Sequence, residues 1–341
     1  MRTLLILLAG FSGLTVWAQS VALQRLTEPL TELKTILKSA DSPRGRLEAL
    51  IKLKGRDPAF ALEGLLQLYR GTHDHAKKYK HIAKGYEDLI GACTDNSDWS
   101  SFLVGLPIAD ELKIKIAAWL LTDLEARKSA SELELVKLEK EGALADLEQG
   151  VKEWDFGTYD SDRAILITAL SSHLSDIESK SYDLTVLEGD SGIHEFRRDI
   201  RAFLIAARAL KGLLVFDEQC PREKFRKYLS DPISTKEYNQ LVPNPREKLP
   251  CRISKCLYLG MSKLSDELSE AKDIGQGEAM LQKFFESRGQ NKKTAMASAE
   301  AVAKFHPRFH DYRARAKKER QEMLHSELLK LIRNDLNACI E

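Results

Sequence analysis

Apolar residues recur at intervals of three and four along most of the 341-residue chain, the period of an amphipathic helix. Residues 22–38 show it first, and after the break "DSPRGR" residues 45–54 and 58–70 repeat it. Residues 73–92 form a lysine-rich helix ending near Gly91, a turn follows at "TDNSD", and 99–104 is apolar again. Pro107 starts a helix to about Lys128, and "SASELELVKLEKEGALADLEQGVKEW" is a charged helix that Ser129 or Ser131 can cap. "DFGTYDSD" is a loop before a helix at 163–180, and "GDSG" at 189–192 breaks the chain before another from 193 to about 216. Pro221, Pro232, Pro243, Pro245 and Pro250 restrict 217–252 to short helical pieces. Helices are expected again at 253–270, 275–287 and 292–304, and Pro307 suits the first turn of a final helix to about 338. No segment sustains the two-residue alternation of a strand, so the expected fold class is all-α.

The first twenty residues change the picture of where the protein acts. "MRTLLILLAGFSGLTVWAQS" joins one early cation, Arg2, to an apolar run and to Val16-Trp17-Ala18, the pattern of a signal peptide cleaved after Ala18. The run is shorter than the roughly 20 residues a membrane span needs. Charges interrupt every later apolar stretch, so a periplasmic or secreted protein without a membrane span is expected. A net charge of +1 hides a division: residues 107–190 carry about −10 and residues 288–333 about +7. A local basic face can therefore bind anions despite the neutral total. Five cysteines in an exported chain make disulfides possible, with one thiol left over.

Two segments carry the same stripe. "IHEFRRDIRAFLIAARAL" places His194, Arg197 and Arg201 at intervals of three and four. "FHDYRARAKKERQEML" does the same with His310, Arg313 and Lys317, continued by Arg320, with Lys318 to one side. On a helix each set is one ridge, and stacked cations repel unless carboxylates on neighbouring helices or a bound polyanion supply negative charge. Asp311, Glu319 and Glu322 fall largely off the second ridge, so neutralisation within that helix is incomplete.

Other chemistry is weaker. His73 and His75 are two residues apart and share no helical face, so with His81 they read as part of a solvated basic surface. Cys251-x4-Cys256 lacks the second close pair of a zinc site. Pairs such as Asp95 and Asp98, or Glu267 and Glu270, abound in charged helices. With no nucleophile elbow, P-loop or H-E-x-x-H, the expectation is a protein with no cofactor, no metal and no catalysis, phosphate-ester hydrolysis being the catalytic alternative. Phe196, Phe203, Phe309 and Tyr312 suit core packing better than base stacking, which argues against a nucleic-acid partner.

The paired stripes resemble the conserved-histidine α-helical domain, CHAD, whose members open each of two pseudo-repeated bundles with H-x-x-R-x-x-x-R/K. His310-Arg313-Lys317-Lys318-Arg320 fits that helix well; His194-Arg197-Arg201 fits its start, with Ala202 and Leu204 where further cations are common. The family's second signature, like L-G-x-x-x-D, has a counterpart in "KLSDELSEAKD", with Ser269 and Asp273. Another is "YEDLIGACTDNSDW", with Gly91 and Asp95, preceded by Lys77, Lys80, His81 and Lys84. The resemblance implies a CHAD-like domain over 189–341 and a helical region over 19–188, of which 57–105 completes the His310 half in a circularly permuted order. Residues 107–180 have no counterpart. It further implies two bundles around a basic cleft that holds inorganic polyphosphate, with His194, Arg197, Arg201, His310, Arg313, Lys317, Lys318, Arg320, Lys80 and Lys84 as ligands. Such binding would weaken with salt and tighten as histidines charge below about pH 6.5. The permuted arrangement would bring Cys339 to Cys93 and leave Cys220 to pair with Cys251 or Cys256. The alternative is a periplasmic helical scaffold whose stripes meet the acidic 107–190 region, in the same chain or in a protein partner.

Overall fold

The computed structural model describes residues 21–94, 96–186, 192–306, 309 and 312–340. The signal-peptide reading of 1–18, the acid Asp95 and the histidine His310 lie outside the described residues. The chain is mostly helical, an all-α bundle. Its helices are α1 (21–37), α2 (Pro43–Lys52), α3 (Arg56–Leu68), α4 (Ala76–Thr94), α5 (Asn96–Gly105), α6 (Asp110–Lys140), α7 (Ala143–Lys152) and α8 (Tyr159–Ser179). After them come α9 (Ile193–Ala209), α10 (Lys255–Ser287), α11 (Lys292–Ala303), α12 (Tyr312–His325) and α13 (Leu328–Asn337). Short side-chain caps start several of them: Ser42 accepts from the Gly45 amide and Thr158 from the Ser161 amide.

Four boundaries depart from the sequence pattern. α6 runs through Ser129 and Ser131, whose hydroxyls donate to the carbonyls of Glu125 and Leu89 and cap nothing; the break falls at Gly142, with φ +65°. α10 continues through Gly275 and Gly277. A Cβ on Gly277 would lie 2.5 Å from the Phe102 ring, so this glycine allows α5 to seat on α10. The final helix is two, because Glu327 adopts φ +62° between α12 and α13. Two strands also form, β1 (Leu214–Asp217) and β2 (Cys251–Ser254), paired in parallel. Four residues each, they are too short to display an alternating pattern.

The cystines are Cys220–Cys256 and Cys251–Cys339, and Cys93 is a buried free thiol. This corrects the expected approach of Cys93 to Cys339. α4 packs against α3 and α6, whereas α13, which leads into Cys339, packs against α8 and β2.

One hydrophobic core runs continuously from Ala22 to Leu336. Inside it Arg25, 2% exposed, binds Asp162 at 2.7 Å and Glu247 at 2.5 Å. The Tyr69 hydroxyl donates to Asp162 and the Tyr159 hydroxyl to Glu247. Burial alone would lower the Arg25 pKa; Glu247, Tyr69 and Asp162 overcome it and hold the guanidinium raised. This cluster ties α1 and α8 to the proline-rich excursion. The acidic 107–190 region faces cations of the N-terminal helices: Glu125 pairs with Arg44, Glu139 with Arg46, Asp146 with Lys78 and Glu148 with Lys34. Among the described residues no helix is long and apolar enough to cross a membrane.

Candidate anion site

α9 buries Phe196, Ile200 and Phe203 on its core face, and this fixes its opposite ridge in place. Along that ridge His194, Arg197 and Arg201 line a cavity of about 410 Å³. α3 contributes Arg56 and Phe60, α4 contributes Lys80 and Lys84, and α10 contributes Lys272. With Arg198, seven lysines and arginines face three carboxylates, Glu63, Glu87 and Asp88. Gly91 makes room for this assembly, since a Cβ there would lie 2.9 Å from Arg56 Nη2.

The rim is neutralised and the centre is not. Arg56 donates to Glu87 at 2.8 and 2.6 Å, Lys84 to Asp88 at 2.6 Å, and Lys272 lies 2.8 Å from Asp273. Lys80 stands 3.8 Å from Glu63 and Arg198 3.4 Å from Glu195. Arg197, only 8% exposed, reaches no more than the Ser269 hydroxyl, at 3.4 Å, and its Nε is buried without a hydrogen-bond partner among the described residues. Arg201 lies over the Phe60 ring at 4.5 Å, and Arg56 over the same ring at 5.1 Å.

The electrostatics follow from this crowding. Burial, then the Arg201 charge, with Arg56 and Arg198 adding to it against Asp273, brings Arg197 down to about 10. Burial and Arg56 lower Arg201 as well. His194 falls to about 4, chiefly through burial and then through Arg197, Arg198, Lys272 and Arg201. In the free protein it is therefore neutral at pH 7, its value lying well below the ordinary histidine value near 6.5. The site offers hydrogen-bond donors and positive charge held in a partly desolvated recess.

The second stripe is built differently. Arg313 is exposed, donates from Nε to the Tyr312 hydroxyl at 2.8 Å and stands 3.8 Å from Glu278. Arg320 donates to the Lys180 carbonyl at 3.1 Å and covers the Tyr182 ring. Lys318 is exposed and 3.6 Å from Glu322, and Lys317 is exposed. None of these four lines the 410 Å³ cavity. α9 and α12 both pack on the long α10. Lys80 and Lys84 thus join the His194 stripe, and not the His310 half to which the permuted reading assigned them.

Sequence reasoning missed Arg56, Arg198 and Lys272. Arg198 was within reach, four residues after His194 on the same helix; the other two join only through contacts between helices. His73 stacks on Trp154 at 4.5 Å beside Tyr69 and Phe156. Among the described residues no group of three or more His, Cys, Asp or Glu side chains is arranged to hold a metal. Phe196, Phe203 and Tyr312 are buried in the core. No family model, no curated protein and no solved structure matches the chain.

Proposed function

We propose that the protein is a non-catalytic, exported binder of a phosphate-rich anion, inorganic polyphosphate or a similar polyanion, held in the cavity between α3, α4, α9 and α10. The observation that carries this reading is Arg197: a buried guanidinium with an unpartnered Nε, facing Arg201, Arg56 and Arg198. Asp273 opposes the three arginines only in part, and a buried cation left incompletely compensated costs several kcal/mol. A phosphate group supplies the missing charge and acceptors, and arginine forks match its oxygens two at a time.

The likeness to the conserved-histidine α-helical domain points the same way. Ser269, at the glycine position of that family's signature, is what Arg197 touches, and Gly91, at the other copy, gives way to Arg56. We read α3–α4 and α9–α10, which meet where Gly64 lies against Ala206, as the two repeated helix pairs around the basic cavity.

A second reading, a surface for a protein partner, is favoured by the exposed Arg313, Lys317 and Lys318 of α12. Titration of the mature protein with phosphate, pyrophosphate and long-chain polyphosphate, at two salt concentrations, separates the two. Salt-sensitive polyphosphate binding that Arg197→Ala weakens roughly tenfold or more and Arg313→Ala leaves intact supports the cavity. No binding by the wild type ends the anion reading.

A further inference from the structure

A second cavity, of about 720 Å³, adjoins the cation cavity, and Phe60, Arg197, Arg201 and Ile205 line both. To the two arginines it adds Lys54, Arg208 and Lys211, against Glu32, Asp57, Glu237 and Asp266. The tally of five cations and four carboxylates hides a division between walls. Every titratable side chain that α9 sends into either cavity is basic: His194, Arg197, Arg198 and Arg201 in the first, Arg197, Arg201 and Arg208 in the second. The acids of α9, Glu195 and Asp199, line neither cavity and pair with Lys180 at 3.2 and 2.8 Å. The four carboxylates of the second cavity come from α1, α3, the proline-rich excursion and α10.

The pitch of α9 makes its wall continuous. Arg201 and Arg208 follow Arg197 by four and eleven residues, close to one and three whole turns, so the three form one ridge about 16 Å long at 1.5 Å per residue. The far end of this ridge is open. Lys54 and Arg208 are exposed and make no ion pair among the described residues. Lys211 is held by Glu28 and Asp266 by Lys236, each at 2.5 Å.

Resting on the reading of the first cavity as an anion site, we propose that the ligand is a linear polyanion long enough to run along α9 through both cavities, and that Arg208 and Lys54 set this preference for length. A short anion such as tripolyphosphate occupies the first cavity and stops at Arg197 and Arg201. A longer chain follows the ridge, its charges kept against α9 and away from the carboxylates opposite. Each further contact between a phosphate and a cation adds affinity and releases counterions.

The test compares tripolyphosphate with long-chain polyphosphate by calorimetry at several salt concentrations. The long chain is expected to bind more tightly and to lose affinity more steeply with salt, since it meets more cations. The double variant Lys54→Asn/Arg208→Gln removes both open charges, and asparagine readily adopts the left-handed backbone of Lys54, φ +56°. It should weaken the long chain about fivefold or more, the worth of one charge-assisted contact, flatten its salt dependence and leave tripolyphosphate within about twofold. Arg197→Ala should weaken both anions. Long-chain affinity and salt dependence unchanged in the double variant would overturn the inference while leaving the anion site standing. An equal loss for the two anions in that variant would also overturn it. Absence of binding by either anion would remove the anion site and the inference together.

Discussion

Arg25 and Arg197 are both buried guanidiniums on helices, and they are opposites in what surrounds them. Arg25 holds two carboxylates at hydrogen-bonding distance and is raised in pKa by them. Arg197 has a serine at 3.4 Å, three arginines nearby and a pKa lowered to about 10. The first pattern is what a fold needs when it buries a charge. The second works against the fold, and it persists because the apolar face of α9 is anchored by Phe196, Ile200 and Phe203 regardless of what the ridge carries. Burial of a cation therefore says little; the sign of its neighbours separates a structural arginine from one held ready for an anion.

Substitution at the two arginines should sharpen the contrast most. Arg25→Met leaves Asp162 and Glu247 buried without their cation and should cost about 3–5 kcal/mol in chemical denaturation. Arg197→Met should cost nothing without ligand, or stabilise by about 1 kcal/mol, since it removes repulsion and desolvation together. The same change should weaken polyphosphate binding by roughly 10- to 100-fold in calorimetry, the loss of charge-assisted hydrogen bonds. Were Arg197→Met to destabilise as much as Arg25→Met, the distinction between the two clusters would collapse.

A subtler probe is pH. His194 titrates at about 4 in the folded protein, below its ordinary value near 6.5. Between those values the unfolded chain binds a proton that folded His194 refuses, so stability should fall as pH drops through this window. Melting temperatures at pH 7 and pH 5 should differ, and His194→Gln should narrow the difference. Long-chain polyphosphate, whose internal phosphates stay ionised, should bind with little pH dependence near neutrality, because free His194 carries no charge there. A tightening on acidification that His194→Gln removes would show that this ring takes up a proton when the anion binds. The smallest effect belongs to the second stripe: Lys317→Glu, on an exposed face, should alter polyphosphate affinity by less than about twofold in moderate salt.

Much of the candidate site was legible before the fold. The spacing of His194, Arg197 and Arg201 guaranteed one ridge on any helix, and Lys80 and Lys84 sit on the helix expected there. What stayed hidden was depth. The two stripes look alike on paper, yet one is sunk between four helices and the other lies on an exposed face. Arg56 and Lys272 carried no local sign of belonging, because each enters from a helix far along the chain. The pairing of Cys251 with Cys339 was equally unreadable, as it closes 88 residues through the docking of α13 on β2.

By itself the sequence determined what local geometry governs: helices from the period of three and four, and the ridge of cations from the pitch of α9. Only the tertiary structure decided which cations meet, which find carboxylates and which are desolvated. Ion pairing and burial depend on distances between helices that are far apart in the chain, and no spacing within one helix encodes them.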